Sequence, residues 1–194
     1  MNILRKDTLK KTTWSGGTTT ELIIAPENAD YSKRKFDFRV SSATVELTES
    51  DFTLLPGVKR HLMILEGEMK LVHKGQYEKQ LGAFEQDTFM GDFRTRSISA
   101  GPVIDFNLML QGTLEGRLIH HPCDGTTVIR WDKVNETIDA RDVYCAKGRL
   151  ELTVGNHSII LFEGDYLQLQ QFEQLKDLEI KGVGHLVEVN VWSV

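Results

Sequence analysis

The chain has 194 residues, of which 40% are hydrophobic and 26% are charged, and its formal net charge is -5. The length allows one elongated domain or two small packed ones, and the acidic balance disfavours nucleic acid as a partner. No segment approaches the ~20 apolar residues of a membrane span, and no apolar run of signal-peptide length follows the basic N-terminal residues. We therefore predict a cytoplasmic protein without a nucleic-acid or membrane partner. Its two cysteines, Cys123 and Cys145, are predicted to be reduced thiols.

Short segments with period-two alternation, separated by Gly, Asn and Asp, predict an all-β chain. The strands "RHLMILEG" and "EMKLVHKG" are predicted to form a hairpin that turns at Glu66 and Gly67, because glycine adopts the backbone conformations of tight reversals. The polar stretch from His120 to Asp142 is predicted to be a connector with one short strand from Thr127 to Trp131. The other strand candidates are "TELIIAP", "FDFRVSSATVEL" and "RSISAGPVIDFNLML".

The two halves of the chain carry a related pattern. "LEGEMKLVHKGQYEKQLGAFEQDTFMGDF" parallels "AKGRLELTVGNHSIILFEGDYLQLQQF", with Gly67 opposite Gly148 and Phe84 opposite Phe162. A repeat of several strands predicts two related β-barrels or sandwiches, here taken as residues 1–118 and 119–194. The second half is the shorter one, so we expect it to take strands from the N-terminal segment.

The glycine turns in "LEGEMKLV" and "FEGDYLQL" resemble those of the cupin superfamily. Four further blocks occur in order along the chain: "WSGGTTTEL", "FDFRVSSATVE", "FTLLPGVKRHLMILEGEMKL" and "ISAGPVIDFNLML". With these blocks the whole chain more closely resembles the HutD/Ves branch of that superfamily. The resemblance implies a bicupin, two tandem cupin-like β-barrels of RmlC-like jelly-roll type, with a pocket in the first. It also implies a role in histidine utilisation or metabolic stress, by sensing an intermediate such as urocanate or a formylated glutamate.

Arg39 and Ser41 lie on one face of the strand "FDFRVSSATVEL", and that face continues into apolar residues. Such a face is typical of the inner wall of a barrel with a polar mouth. Arg39 could donate two parallel hydrogen bonds to a carboxylate, with the Ser41 hydroxyl as a second partner. The alternative is a cross-strand salt bridge of Arg39 at the rim.

Arg60 and His61 open the strand "RHLMILEG". Metal-binding cupins carry His-x-His here, whereas this chain has His61 and then Met63, so we predict no metal and no cofactor. Without a metal, His61 could accept or transfer a proton, since its reference pKa of ~6.5 lies near neutrality. The alternative is a packing histidine whose ring nitrogens are satisfied within the fold.

Asp105 and Asn107 share a face of the strand "VIDFNLML" and would complete a polar cluster with Arg39 and Ser41. A buried Asp needs an Arg or Ser opposite whether or not a ligand binds, so a structural role remains equally open. Trp14, before a Gly-Gly turn, is predicted to cover the barrel mouth.

The second repeat is predicted to lack a comparable group of converging side chains. His157 and His185 are assigned to surface or packing roles, and the adjacent His120 and His121 point to different sides of an extended chain.

The predicted function is therefore binding of a small carboxylated metabolite in the first barrel. Arg39 and Arg60 would fix the carboxylate, and His61 and Asp105 would read the ligand's other end. One alternative is a metal-independent hydrolase or isomerase with His61 as base and Asp105 as its orienting partner. A second is a protein-interaction scaffold, and the sequence allows a homodimer. The complete predicted ligand-binding set is Arg39, Ser41, Arg60, His61, Asp105, Asn107 and Trp14.

Overall fold

The computed structural model describes residues 1–131, 137–169 and 177–194. Its strands are β1 (Asn2–Leu4), β2 (Lys10–Trp14), β3 (Gly17–Ala25), β4 (Phe38–Val45), β5 (Glu49–Asp51), β6 (Lys59–Glu66), β7 (Met69–His73), β8 (Tyr77–Leu81), β9 (Gln86–Met90), β10 (Thr95–Ile98), β11 (Val103–Leu110), β12 (Leu114–Arg130), β13 (Thr137–Val154), β14 (His157–Phe162), β15 (Tyr166–Gln168) and β16 (Asp177–Ser193). The helical elements of the described residues are two single 3-10 turns, Lys6–Thr8 and Tyr31–Lys33. The prediction of an all-β chain is confirmed.

One compact unit, residues 10–114, contains two antiparallel sheets. The first has six strands in the order β2-β3-β4-β11-β6-β9, and the second has four in the order β5-β10-β7-β8. Leu62 and Ile64 of the first sheet share one apolar cluster with Met69 and Leu71 of the second, and all four are fully buried. Burial of this alternating apolar set holds the two sheets together.

The predicted pairing of "RHLMILEG" with "EMKLVHKG" is wrong. β6 pairs with β11 and β9, whereas β7 pairs with β10 and β8, so the chain passes from one sheet to the other at Gly67. Gly67 does have the left-handed backbone that the sequence indicated, with φ of 86°. The two strands bury their apolar residues in the same cluster from different sheets, and this favours a crossing over a hairpin.

The second compact unit contains residues 1–9 and 115–194. Its sheet has the order β1-β15-β13-β16-β12, and β14 also pairs with β13. β1 supplies the expected N-terminal strand, with Ile3 opposite Leu167. The division into barrels at residues 118 and 119 stays a prediction.

The stretch from His120 to Asp142 is mostly strand, which corrects the predicted connector. β12 continues to Arg130 and β13 begins at Thr137. The part of the predicted connector at 132–136 lies outside the described residues. Cys123 and Ile129 are buried between exposed neighbours, because the polar residues of this stretch occupy the outward positions of the strand.

The internal repeat recurs in the backbone hydrogen bonds. The Phe84 N–H donates to the Ile64 carbonyl at 2.6 Å, and the Gly164 N–H donates to the Cys145 carbonyl at 2.8 Å. The reverse bonds, from Ile64 to the Glu85 carbonyl and from Cys145 to the Asp165 carbonyl, are both 3.0 Å. Phe84 therefore corresponds to Gly164 and not, as predicted, to Phe162.

Gly148 lies within β13, opposite Gly184 of β16, at a point where the two strands approach each other closely. We expect Gly148→Ala to destabilise the protein by roughly 2 kcal/mol more than Gly155→Ala. Both glycines have positive φ, 88° and 58°, so both variants carry backbone strain. At Gly148 a Cβ would also lie 2.3 Å from the Val183 carbonyl oxygen, whereas at Gly155 nothing lies within 4 Å. Urea unfolding measures both losses, and equal losses would contradict the requirement for close approach.

Candidate functional site

A cavity of about 460 Å³ lies within residues 10–114, against one face of the six-stranded sheet. Its wall is built in rows across paired strands. Met109 of β11 lies opposite both Arg39 of β4 and Arg60 of β6, and Asn107 lies opposite Ser41. Directly opposite residues project to the same side of a sheet, so these side chains converge.

Six of the seven predicted ligand-binding residues line the cavity. Each except Trp14 is at least nine-tenths buried, and Trp14 is 36% exposed. A group of polar side chains is thus buried, and this is energetically unfavourable unless they form hydrogen bonds or ion pairs. The six residues are Trp14, Arg39, Ser41, Arg60, Asp105 and Asn107.

His61 is not among the cavity-lining residues. It follows Arg60 on β6, and successive side chains of a strand point to opposite faces. Its Nδ1 lies 2.9 Å from the Thr88 hydroxyl of β9, the residue paired with it across the sheet. The structure therefore separates His61 from Asp105, which the sequence analysis had placed in one acid-base pair.

Arg39 is balanced by partners of its own. Its Nε donates to Glu21 at 2.8 Å, and another guanidinium nitrogen donates to the Ser41 hydroxyl at 2.9 Å. The guanidinium carbon lies 4.1 Å from the centre of the Tyr31 ring. The cross-strand salt bridge considered from the sequence is therefore present. Tyr31 was missed because it lies on a 3-10 turn, outside any strand pattern.

Arg60 is held differently. Its guanidinium carbon lies 4.7 Å from the centre of the Phe52 ring and 5.3 Å from that of Phe89. Its Nε is buried without a hydrogen-bond partner, and none of the ion pairs in the described parts of the chain involves it. Burial lowers the pKa of Arg60 to about 10, so the side chain remains a cation at neutral pH. Arg60 thus presents to the cavity a positive charge that no ion pair of the described residues neutralises.

Asp105 and Asn107 bring acceptors to the same wall. Burial raises the pKa of Asp105 to about 7, although Arg60, the Ala43 backbone and Arg39 act in the opposite direction. The Oδ1 of Asn107 is buried and has no hydrogen-bond partner. The cavity wall therefore combines the Arg60 cation, the Asp105 carboxyl, whose pKa is near neutrality, and the Asn107 Oδ1 acceptor, which has no hydrogen-bond donor.

The second compact unit contains a buried polar cluster that the sequence analysis missed. Glu188 accepts hydrogen bonds from Trp131 Nε1 at 2.6 Å and Asn190 at 2.9 Å, and His121 Nε2 lies 2.8 Å from its other oxygen. Burial alone would raise the pKa of Glu188, but His121, Asn190 and Trp131 outweigh it and leave the pKa below its ordinary value. Glu188 was overlooked because two of its partners, Trp131 and His121, are distant in the sequence and leave no local pattern on β16.

Neither a metal centre nor a membrane helix is found in the described residues. Across residues 1–131, 137–169 and 177–194, no three His, Cys, Asp or Glu side chains are grouped to hold a metal ion. Within the same residues, no helix has the length and apolar character needed to cross a membrane.

The chain is an antiparallel all-β protein with a cavity on a sheet face, and its likeness to solved structures identifies the fold as cupin-like. A protein of unknown function from Pseudomonas aeruginosa PAO1 superposes with a TM-score of 0.83 at 20% identity, over 98% of this chain and 97% of its own. Oxalate decarboxylase from Lactobacillus farciminis, solved as a formate complex, gives 0.64 at 8% identity over 98% and 85%. At these identities the likeness shows the fold alone.

The chain belongs to the HutD family, whose sequence model matches residues 6–187. HutD from Pseudomonas fluorescens SBW25, solved in a formate condition, superposes with a TM-score of 0.76 at 22% identity, over 100% of this chain and 98% of its own. Among curated proteins, none matches the chain.

Proposed function

We propose that the cavity within residues 10–114 binds a small carboxylated metabolite and that the protein acts as a sensor or regulator. The observation that carries this proposal is the buried Arg60 guanidinium, which lines the cavity, has no hydrogen-bond partner at Nε and forms no ion pair with the described residues. A buried charge without a partner is strongly unfavourable, and a ligand carboxylate would supply the missing one. The geometry of a guanidinium suits a carboxylate, which can accept two parallel hydrogen bonds.

Arg60 and Arg39 have different roles in this proposal. Glu21 already neutralises Arg39, so Arg60 receives the carboxylate while Arg39 orients Ser41 and shapes the wall. Asn107 would accept a hydrogen bond from the ligand, and Trp14 would cover the mouth. The cavity volume of about 460 Å³ lies in the range of small-molecule sites, roughly 300–1,000 Å³.

The wider context is also part of the proposal. The HutD family name suggests histidine utilisation as the pathway, with metabolic stress as the alternative. The repeated hydrogen bonds at Ile64 and Cys145 support two tandem cupin-like barrels, the first with a ligand and the second filled by side chains such as Glu188. A cytoplasmic location and a homodimer remain predictions.

An enzyme is the second candidate, and Asp105 is the observation that favours it. A carboxyl with a pKa of about 7 at a cavity could donate or accept a proton at neutral pH. His61 does not share that cavity, so a hydrolase or isomerase based on the His61 and Asp105 pair has no geometric support. Incubation with a bound carboxylate, followed by NMR, separates the classes: turnover lost in Asp105→Asn would favour the enzyme.

Carboxylate binding is tested with Arg60→Met, which keeps an apolar contact with Phe52 and Phe89 but removes the charge. Titration calorimetry with formate, propionate and butyrate measures the affinity. We expect at least about tenfold weaker binding to the variant, because a hydrogen bond to a charged group contributes ~1.5–3 kcal/mol.

The matched control is Arg94→Gln, which removes an exposed arginine from the same unit. It should bind with wild-type affinity. Equal binding by wild type and Arg60→Met would contradict the assignment of the carboxylate to Arg60. Circular dichroism checks that both variants retain the β-strand signal of the wild type.

A further inference from the structure

The cavity is lined by a basic and an acidic side chain that influence each other electrostatically but form no ion pair. Arg60 and Asp105 both line it, yet the ion pairs within 4.0 Å in the described part of the chain include neither residue. Arg60 rests against the Phe52 and Phe89 rings, where a cation is stabilised by the ring faces. Asp105 is placed elsewhere on the wall, in the row of Ala43 and Ile64.

The spacing along β11 explains why the charges stay apart. Met109, opposite Arg60, and then Asn107 and Asp105 follow at every second position of the strand. Inward side chains of a strand are separated by about 6.8 Å, twice the rise per residue. Asn107 therefore lies between the arginine row and the Asp105 row, and its Oδ1 has no donor.

The overall charge of the lining argues against a ligand with several negative charges. Three basic and four acidic side chains line the cavity, so its field is not that of a polyanion site. A dicarboxylate would place its second carboxylate near Asp105 and the acidic side chains of the rim. The basic residues are Lys10, Arg39 and Arg60, and the acidic ones are Glu21, Asp30, Asp51 and Asp105.

Resting on the proposed function, we infer that the ligand is an amino-carboxylate, with a carboxylate on Arg60 and an ammonium or other N–H group on Asp105 and Asn107. Such a ligand offers a complementary group to each of Arg60, Asp105 and Asn107. The carboxylate neutralises Arg60, one N–H satisfies Asn107 Oδ1, and the positive charge stabilises ionised Asp105. A monocarboxylate without a donor leaves Asn107 and Asp105 as they are.

The experiment compares ligands that differ only in the terminal amino group. Propionate, butyrate, valerate and hexanoate are titrated alongside their terminal-amino counterparts into the full chain at pH 7.5. We expect the amino form to bind at least about tenfold more tightly at the chain length that spans the two rows. In Asp105→Asn this preference should fall to about threefold or less, and in Arg60→Met both ligands of the pair should weaken.

The outcomes separate this inference from the proposed function. Equal binding of the two forms at every length, with both weakened in Arg60→Met, would overturn the amino-carboxylate class and keep the carboxylate site. A tenfold preference that survives in Asp105→Asn would also overturn it, since the amino group would then bind elsewhere. No binding of either form would overturn both. Arg94→Gln is the matched control and should reproduce the wild-type preference.

Discussion

Replacement of Glu188 by alanine is expected to lower the free energy of unfolding by about 3–5 kcal/mol, the usual effect of removing one partner from a buried charged network. Trp131, Asn190 and His121 all direct polar nitrogens at the Glu188 carboxylate. Without it these groups lose a buried acceptor, and each unsatisfied group costs about 1–3 kcal/mol. Urea unfolding monitored by Trp fluorescence and circular dichroism measures the loss.

Glu188→Gln removes the negative charge but keeps the size of the side chain and one acceptor oxygen, so it measures the contribution of the charge alone. Its amide oxygen can still accept from Trp131 and Asn190, so we expect a loss of about half that of the alanine variant, or less. The control is Glu179→Ala, which removes an exposed ion pair with Lys181 and should change stability by less than about 1 kcal/mol. A loss below 1 kcal/mol for Glu188→Ala would show that the cluster is not a structural centre of the unit.

The Glu188 effect has a defined pH dependence. The pKa of Glu188 is lower in the folded chain than in the unfolded one, so its contribution to stability is present above the unfolded pKa. It is lost as pH falls through the folded pKa, because the folded state must then take up the proton at a less favourable site. The difference between wild type and Glu188→Gln should therefore shrink in acid.

Local strand periodicity was sufficient to place four of the polar side chains that line the cavity. Arg39 with Ser41, and Asp105 with Asn107, each lie two residues apart, so one period fixes both members on the same face whatever the rest of the fold. The same rule also forbids Arg60 and His61, which are adjacent on β6, from facing one cavity. In agreement with this rule, Arg60 lines the cavity and His61 does not.

Features that depend on distant parts of the chain were not predictable in this way. Tyr31 meets Arg39 from a 3-10 turn, and Glu188 meets Trp131 from another strand, so neither contact leaves a local pattern. The turn at Gly67 was recognised from its glycine, but which strands it joined depends on sheet pairing. Only the end of β12, from Thr127, was predicted, because a long strand with polar outward residues has the composition of a loop.

Asp105→Asn is expected to stabilise the protein at pH 8, by about 2–4 kcal/mol, since each unit of pKa shift corresponds to ~1.4 kcal/mol. The pKa of Asp105 is raised by burial to about 7 in the folded chain, from an ordinary value of 3.8. Between these values the folded state retains a proton that the unfolded state has released, so stability falls as pH rises from about 4 to about 7. Asparagine is neutral at every pH and removes this loss.

The gain from Asp105→Asn should therefore be largest above pH 7 and close to zero near pH 4, and urea unfolding across that range measures it. Asp92→Asn, at an exposed position of the same unit, is the control and should change stability by less than about 0.5 kcal/mol. A destabilised Asp105→Asn at pH 8 would mean that the carboxylate is ionised and stabilised within the fold. A stabilised one would mean that the chain keeps an unfavourable acid at its cavity, as expected where a binding site is maintained at the expense of stability.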